Sequence, residues 1–349
     1  MPIDERHRAD AVFEGGGVKG IAFAGAIAAA EQDAGVKEWV NLAGTSAGSI
    51  VSALLVAGYD AAGLQKILAE AKYPRFADTG FGGMWIGGLY SAVVRRRGMA
   101  PGKYFKEWMS EQLAASPLAK ELGKSELTFA DVKRRDLPPR SELPGISDEK
   151  YERATYRLHV ITSDVTSGRL AILPDDLPNY EDENGKPLDK DTFPVVDAVR
   201  MSMSYPFLFA PVALHQGGKP YYMVDGGLLS NFPIWLFDSP KPKRPTWGFR
   251  LHPGATVTEG LPYRKVPRPL WSVPLLKAMF SAATEAWDRQ ELEQAVTART
   301  VSIPTHDIST TNFGLTRTGA DNLYSWGNAA AHAFFASAEV QAYLSSFGS

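Results

Sequence analysis

A serine flanked by glycines is the first residue whose setting suggests chemistry. Ser46 is the centre of Gly44-Thr45-Ser46-Ala47-Gly48, a G-x-S-x-G sequence between a predicted strand and a predicted helix. In such a turn the serine hydroxyl is raised above the edge of a sheet, and Gly44 and Gly48 remove side chains that would collide. The positive end of the following helix dipole would face any negative charge that develops there. The spacing therefore predicts a nucleophilic serine, and the alternative is a tight structural turn.

A second glycine-rich turn, Gly15-Gly16-Gly17-Val18-Lys19-Gly20, lies nearer the N-terminus. After a strand and before a helix, this G-x-G-x-x-G pattern can bind a dinucleotide, but that function needs an acidic residue at the end of the next strand. The next strand ends instead at Leu42-Ala43-Gly44, with no acid. We favour an oxyanion hole beside Ser46, because glycine amides carry no obstructing side chains. Lys19 would add positive charge or brace the loop, and a phosphate cradle or a plain turn stays open.

A nucleophilic serine needs a general base, and histidine is the usual one. Asp225, followed by Gly226 and Gly227 at the end of a predicted strand, is better placed than any histidine of the chain. The ordinary pKa of an aspartate is about 4, so burial would have to raise the pKa of Asp225 for it to act as a base. None of the six histidines stands in a motif: His7, His159, His215, His252, His306 and His332.

The elements around these turns alternate between strand and helix. Apolar runs predict strands at 11–14 and 39–43, each followed by a glycine turn and then by a helix, at 21–32 and 49–57. This order is typical of a parallel sheet with crossover helices. A further helix is predicted from the N-cap Asp60 to Lys72. Strands follow at 156–163, 169–173, 221–224, 246–251 and 300–303, helices at 101–114, 194–203, 270–297 and 321–344, and a surface loop at 134–153.

The composition is that of a globular chain. The 349 residues are 44% hydrophobic and 22% charged, with a net charge of −2, which excludes a disordered chain and argues against a nucleic-acid partner. The absence of cysteine excludes disulfides and thiolate chemistry and suits a reducing compartment. The first ten residues, MPIDERHRAD, lack the apolar core of a secretory signal, and we predict no transmembrane segment. We therefore expect a cytoplasmic protein, with export by a signal-independent route left open.

The three turns, in this order, resemble the patatin-like phospholipase family. That family carries a G-G-G-x-[RK]-G oxyanion loop, a G-x-S-x-G nucleophile elbow and a D-G-[GA] motif, which correspond here to residues 15–20, 44–48 and 225–227. The segment SMSYPFLFAPV at 202–212 resembles the family's S-x-x-x-P-x-x-F-x-P, and Asn231-Phe232-Pro233 also fits. The resemblance covers about residues 10 to 235.

The resemblance implies a three-layer patatin-like α/β fold, with a mainly parallel central sheet and helices on both faces. It implies a catalytic domain over 8–240 with an insertion or cap around 73–154, and strands and helices in 241–349 that complete the same domain. The implied activity is that of a serine hydrolase acting on lipid acyl esters, a phospholipase A-type esterase with a Ser-Asp dyad.

The residue roles transfer position by position. Ser46 would be the nucleophile, Asp225 the general base, and the backbone of Gly15, Gly16 and Gly17 the oxyanion hole. The supporting motif residues would be Lys19, Gly20, Gly44, Gly48, Gly226 and Gly227. No metal or organic cofactor is expected, because a serine nucleophile, an aspartate base and backbone amides complete the reaction.

Other functions stay open at this point. A non-lipid carboxylesterase or thioesterase would use the same dyad, and a nucleotide-binding protein would use the loop at 15–20. A catalytically idle lipid-binding protein is disfavoured because both dyad residues are present. The expected partner is a lipid or phospholipid, with transient membrane-surface contact. We hypothesise that FGGMWIGGLY at 81–90 and RRR at 95–97 dock at the membrane, the alternative being a loop that caps the core.

Overall fold

A single sheet of eight strands runs through the structure. The computed structural model describes residues 5–76, 100–252 without 144, 207, 240 and 241, residue 254, and 297–347 without 307. The strands are β1 (Arg8–Phe13), β2 (Glu38–Thr45), β3 (Leu158–Asp164), β4 (Arg169–Leu173), β5 (Val212–Gln216), β6 (Lys219–Asp225), β7 (Thr246–His252) and β8 (Thr300–Pro304). Five run parallel in the order β3-β2-β1-β7-β8, whereas β4 and β6 pair antiparallel with β3, and β5 with β6.

The central strands are buried on both faces, as parallel strands usually are. Because successive side chains of a strand point to opposite faces, Ala11 and Phe13 of β1 join the larger hydrophobic core, and Val12 joins a smaller one. In β2, Leu42 joins the larger core and Ala43 the smaller one. The described helices supply the larger core, and the smaller core is closed by the 3₁₀ helix Ile234–Phe237.

Ten described α-helices flank the sheet. They are α1 (Ile21–Asp33), α2 (Ala47–Val56), α3 (Ala61–Glu70), α4 (Tyr73–Phe76), α5 (Lys103–Ala114), α6 (Pro117–Leu122), α7 (Asp148–Thr155), α8 (Val195–Ser202), α9 (Arg317–Phe335) and α10 (Ala338–Ser345). The small residues of α1 allow α9 to pack directly on it. A Cβ on Gly25 would lie 2.0 Å from the Tyr324 carbonyl oxygen, and one on Gly327 would lie 1.9 Å from that of Ala22. The helix α9 is thereby part of the larger core, although it lies far from α1 in the sequence.

The α/β fold is confirmed, and most elements fall where the sequence predicts them. Asp60 caps α3 as expected, by accepting from the Gly63 N–H at 2.8 Å. The single helix predicted over 321–344 is wrong, because α9 ends at Phe335 and Ser337 caps a new helix, α10. The loop predicted over 134–153 contains the start of α7, capped by Ser147. The helix α5 begins at Lys103 and not at the predicted residue 101, because Gly102 has φ +72°, which is not helical. The strand β5 was not predicted.

Two predictions, a helix and a membrane-docking region, concern residues outside those that the structure describes. These are almost all of the helix at 270–297 and the whole of the proposed membrane-docking stretches at 81–90 and 95–97. The domain limits also stay a prediction. Among the described helices, none combines the length and the apolar character needed to cross a bilayer.

Candidate active site

The strand β3 brings the ends of β2 and β6 together. It pairs with β2 up to Thr45, opposite Ile161, and with β6 from Asp225, opposite Thr162. Since β4 occupies the other edge of β3 over this stretch, β2 and β6 meet end to end along a single edge. Ser46 directly follows Thr45, so the predicted nucleophile and the predicted base become neighbours at the junction of two strands.

Ser46 has a backbone conformation that residues other than glycine rarely adopt, with φ 52° and ψ −121°. Its N–H donates to Ser202 Oγ at 2.8 Å, and that hydroxyl donates to the Ile161 carbonyl at 2.6 Å. Its carbonyl accepts the N–H of Ser49 at 2.9 Å, in the first turn of α2. These hydrogen bonds hold Ser46 in the strained turn that a nucleophile elbow requires.

The glycines of the elbow permit close contact between backbones. A Cβ on Gly44 would lie 2.2 Å from the Gly48 carbonyl oxygen, and a Cβ on Gly48 would lie 2.2 Å from that of Phe13. Distances this short exclude a side chain unless the backbone moves. The elbow is thus packed against the end of β1, which leads directly into the loop at 15–20.

Gly20 and Gly226 also stand at close contacts. A Cβ on Gly20 would lie 3.0 Å from the Cβ of Ala47, and one on Gly226 would lie 2.4 Å from the Ile161 carbonyl oxygen. The first contact joins the glycine loop at 15–20 to the start of α2. The second keeps the turn after Asp225 against β3, so both glycines support the site by packing.

Asp225 is buried, with 2% of its surface exposed. Its Oδ1 accepts the N–H of Gly227 at 2.9 Å, and its own N–H donates to the Ser204 carbonyl at 3.0 Å. Burial raises the pKa of Asp225 to about 6, while hydrogen bonding to Ser46 and to Gly227 opposes this rise. Asp225 is therefore a stronger base than an ordinary aspartate, as the dyad interpretation needs.

The hydroxyl of Ser46 lies between Asp225 and a methionine. Its Oγ is 3.5 Å from the sulfur of Met203. Asp225 Oδ2 accepts no hydrogen bond of ordinary geometry among the described residues, yet the hydroxyl is near enough to lower the pKa of this carboxylate.

The glycine loop divides into two parts. Gly15 donates its N–H to the Asn231 carbonyl at 3.2 Å, so the prediction that its amide serves the oxyanion hole is corrected. Within the described ranges, the N–H groups of Gly16 and Gly17 have no hydrogen-bond acceptor. Gly17 has φ +55°, and a Cβ there would lie 2.2 Å from the Thr310 carbonyl oxygen. Gly16 and Gly17 therefore remain the candidate oxyanion donors.

Lys19 lies in the 3₁₀ helix Gly17–Gly20, at the end of the glycine loop. Its N–H donates to the Gly16 carbonyl at 3.2 Å, which closes the turn around the two candidate donors. Burial lowers the pKa of His252, and the charges of Arg250, His306 and Lys19 lower this pKa further. Lys19 thus braces the loop through its backbone and adds positive charge beside it.

A narrow apolar cavity of about 20 Å³ lies beside the elbow. It runs from the glycine loop and the start of α2 to aromatic side chains of α4 and α5. Its lining residues are Gly17, Val18, Gly20, Ala47, Ile50, Leu68, Tyr73, Phe76, Trp108, Met203 and Phe313. A volume of about 20 Å³ has room for roughly one water molecule, so this is a small apolar gap beside the elbow.

The histidines have contacts of their own. His159 is buried in β3, with Nε2 3.7 Å from Asp175, and His332 pairs with Asp33 on the helical side. His7 contacts the Gly35 carbonyl at 2.8 Å. Among the described hydrogen bonds and ion pairs, none joins a histidine to Ser46.

Several residues that hold the site had no predicted role. Ser202, Met203 and Ser204 form a segment that contacts Ser46 with its first two residues and Asp225 with the third. The matching motif at 202–212 marked this segment in the sequence, but its function becomes visible only from the contacts. Glu14 also holds the site, because it accepts hydrogen bonds from the Asn231 side chain and from the Leu251 N–H. In the sequence, only its position next to the glycine loop pointed to it.

Comparison with known proteins adds to this geometry. A family model described as patatin-like phospholipase matches residues 11–238, more than half of the chain. The uncharacterized protein YqhO of Bacillus subtilis (strain 168) is 31% identical over 313 residues, which cover 88% of this chain and 91% of the relative.

One solved structure shows a similar fold at low sequence identity. VipD from Legionella pneumophila superimposes with a TM-score of 0.54 and 16% identity, over 94% of this chain and 67% of that one. ExoU of Pseudomonas aeruginosa, solved as a heterodimer with SpcU, gives a TM-score of 0.47 and 17% identity, over 97% of this chain and 53% of ExoU. This chain thus spans about half the length of ExoU.

Proposed function

The chain belongs to the patatin-like phospholipase family, a family of lipid acyl hydrolases, and from this premise we propose that it cleaves acyl esters of phospholipids through Ser46 and Asp225. The observation that carries the proposal is the junction at β3, where Ser46 adjoins a buried aspartate of raised pKa. Ser46 supplies the nucleophile that the reaction needs, and Asp225 the base.

The first chemical step would transfer the acyl group to the enzyme. Asp225 takes the proton of the Ser46 hydroxyl as Oγ attacks the ester carbonyl, and the carbonyl oxygen becomes an oxyanion. The N–H groups of Gly16 and Gly17, with the N-terminal end of α2, stabilise this negative charge. When the tetrahedral intermediate collapses, the alcohol of the lipid leaves with the proton held by Asp225.

The second step would release the fatty acid. Asp225, again deprotonated, takes a proton from water as the water oxygen attacks the acyl-enzyme carbonyl. The same backbone donors hold the second oxyanion. Collapse of this intermediate returns the proton to Ser46 Oγ and frees the carboxylic acid. The cycle needs no group besides those described and the two substrates, ester and water.

The apolar side chains beside the elbow favour a lipid substrate over a polar one. Ala47, Met203, Phe76 and Trp108 line this gap. At about 20 Å³ the gap is too small to hold an acyl chain, which would be shielded from water there only if these side chains moved apart. A phospholipid substrate also requires transient contact with a membrane surface. The segments at 81–90 and 95–97 stay the hypothesis for that contact.

The test is mass spectrometry of the products formed from a mixed phospholipid extract. We expect the wild-type protein to release fatty acids and lysophospholipids, and Ser46→Ala and Asp225→Asn to release none at unchanged circular dichroism. His159→Gln serves as a control, because His159 does not contact Ser46 among the described residues. A histidine variant as inactive as Ser46→Ala, but still folded, would indicate a triad in place of the dyad.

Two results would favour the alternatives. Hydrolysis restricted to short soluble esters or thioesters, in a series of increasing chain length, would indicate a non-lipid esterase or thioesterase. Measurable binding of a dinucleotide, with no labelling of Ser46 by a serine-directed phosphonate, would indicate that the loop at 15–20 holds a nucleotide.

A further inference from the structure

Asn231 lies where the glycine loop, the elbow and the turn after Asp225 meet. Its carbonyl accepts the Gly15 N–H at 3.2 Å, and its side-chain Nδ2 donates to the Gly15 carbonyl at 3.3 Å. Both polar groups of the Gly15 backbone are thus bonded to one residue. The preceding residue, Ser230, accepts the Thr45 hydroxyl at 3.2 Å. Two consecutive residues therefore connect to the glycine loop and to the elbow.

Glu14 supports the same amide from below the loop. Its Oε1 accepts the second Nδ2 proton of Asn231 at 3.2 Å and lies 3.7 Å from the guanidinium of Arg250. Its Oε2 accepts the N–H of Leu251, on the neighbouring strand β7. Because Glu14 is 5% exposed, its carboxylate cannot relax into water. The side-chain amide of Asn231 therefore faces two fixed acceptors, which only its NH₂ end can satisfy.

This arrangement leaves Asn231 Oδ1 on the side of the reacting groups. A Cβ on Gly15 would lie 2.3 Å from Oδ1 and 3.3 Å from the Cβ of Ser46. A Cβ on Gly227 would lie 2.8 Å from the same Oδ1 and 3.2 Å from Asp225 Oδ1. The amide thus fills the space between two glycines, one beside the nucleophile and one beside the base.

We propose that Asn231 and Glu14 form a clamp that fixes the glycine loop relative to Ser46, which makes Asn231 a positioning residue for acyl transfer. The inference rests on the proposed function, because it assumes that Gly16 and Gly17 stabilise the oxyanion. These two residues follow directly on Gly15, and their N–H groups can be aimed only if the Gly15 backbone is fixed. Since an oxyanion donor must lie within a few tenths of an ångström of its best position, a loosened loop lowers turnover more than it lowers substrate binding.

The test compares Asn231→Asp with the double variant Glu14→Gln/Asn231→Asp. The introduced aspartate loses both donated hydrogen bonds and faces the Glu14 carboxylate, so kcat on a soluble p-nitrophenyl ester should fall roughly tenfold or more, with a much smaller change in KM. In the double variant the glutamine amide introduced at position 14 can donate to the carboxylate introduced at position 231, and we expect kcat to recover several-fold. The rate at which a fluorophosphonate labels Ser46 should follow kcat in both variants.

Asn328 offers a matched control. It donates its Nδ2 to the Gly25 carbonyl at 3.2 Å, as Asn231 does to Gly15, but it lies on α9. Asn328→Asp should lower the melting temperature and leave kcat within about twofold of wild type, because its hydrogen bond serves packing alone.

The other possible results separate the clamp from the proposed function. The clamp would be overturned if Asn231→Asp had the same kcat as Asn328→Asp, or if the double variant were no faster than Asn231→Asp. In either case an inactive Ser46→Ala protein would leave the proposed function standing. An active Ser46→Ala protein would overturn the proposed function and the clamp with it. Should Asn231→Asp not fold, Asn231→Ala takes its place and should show the same loss of kcat without the added charge.

Discussion

Ser202 accepts the backbone N–H of Ser46 at 2.8 Å and donates its own hydroxyl proton to the Ile161 carbonyl at 2.6 Å. The strained residue of the elbow is thereby tied to the strand β3 through one buried side chain. The same strand carries Thr162, which is paired with Asp225. The proposed nucleophile and the proposed base are therefore held by the same strand, and this arrangement can be tested one residue at a time.

Ser202→Ala should lower turnover because the buried N–H of Ser46 would lose its acceptor. A buried donor left without a partner costs about 1–3 kcal/mol, and the elbow can relieve this cost by moving. We expect kcat to fall roughly tenfold or more with less change in KM. Ser116→Ala is the control, since Ser116 is a buried serine that accepts a backbone N–H, from Ala119 at 3.1 Å, at the start of α6. Equal kcat in the two variants would contradict this role for Ser202.

The pH dependence of hydrolysis should report Asp225. As a general base it works only when deprotonated, and burial raises its pKa to about 6. The value of kcat/KM for an uncharged soluble ester should therefore increase as the pH rises through about 6, and then level off. An ordinary exposed aspartate would place this change near pH 4. A profile that is flat from pH 5 to pH 8 would argue that another group is the base.

Asp225→Asn should make the protein more stable at neutral pH. In the folded chain Asp225 keeps its proton up to about pH 6, whereas in the unfolded chain it loses the proton near its ordinary value of 3.8. The folded state therefore binds more protons between these values, and the contribution of Asp225 to stability falls as the pH rises through this window. The gap corresponds to about 3 kcal/mol at most.

Urea unfolding at pH 4 and at pH 8 measures this effect. The stability advantage of Asp225→Asn over wild type should be small at pH 4 and larger at pH 8, by about 1–3 kcal/mol. The Gly227 N–H keeps its acceptor in the variant, because asparagine retains one side-chain oxygen. An advantage of the same size at both pH values would show that the buried charge is not its source.

The two candidate oxyanion glycines should respond differently to alanine. Gly17 has φ +55°, and its Cβ would lie 2.2 Å from the backbone oxygen of Thr310, so alanine must displace the loop. Gly16 has an extended φ of −164°, and its Cβ would meet only the end of the Leu251 side chain, which can move. We expect Gly17→Ala to lower kcat roughly a hundredfold or more and Gly16→Ala to lower it less. Similar kcat values on the same ester would contradict the ranking.

The sequence located the turns of the candidate site better than the residues that hold these turns in place. Glycine and serine at fixed spacing mark a turn by local chemistry alone, so Ser46 and Asp225 could be chosen before their distance was known. The hydrogen bond from the Gly15 N–H to the Asn231 carbonyl joins residues far apart in the sequence, at the end of β1 and after β6. Local sequence patterns could not predict such a contact. The break between α9 and α10 at Ser337 was missed because apolar residues continue in helical register across it.

The strain at Ser46 leads to a last prediction that is independent of activity. With φ 52° and ψ −121°, any L side chain at this position is held in a sparsely populated conformation, at a cost of about 1–3 kcal/mol. Ser46→Ala keeps this strain, whereas Ser46→Gly relieves it, and the greater freedom of glycine in the unfolded chain offsets part of the gain. We therefore expect Ser46→Gly to be more stable than Ser46→Ala by about 1 kcal/mol in urea unfolding, with both proteins inactive. Gly123→Ala supplies the comparison in the opposite direction, because Gly123 has φ +64° and an added Cβ would meet open space, so alanine should destabilise by strain alone. The result would contradict this prediction if Ser46→Ala proved as stable as Ser46→Gly while Gly123→Ala was destabilised. The elbow would then relax once the hydroxyl is removed, and the contacts of the serine side chain would be the cause of its strained backbone.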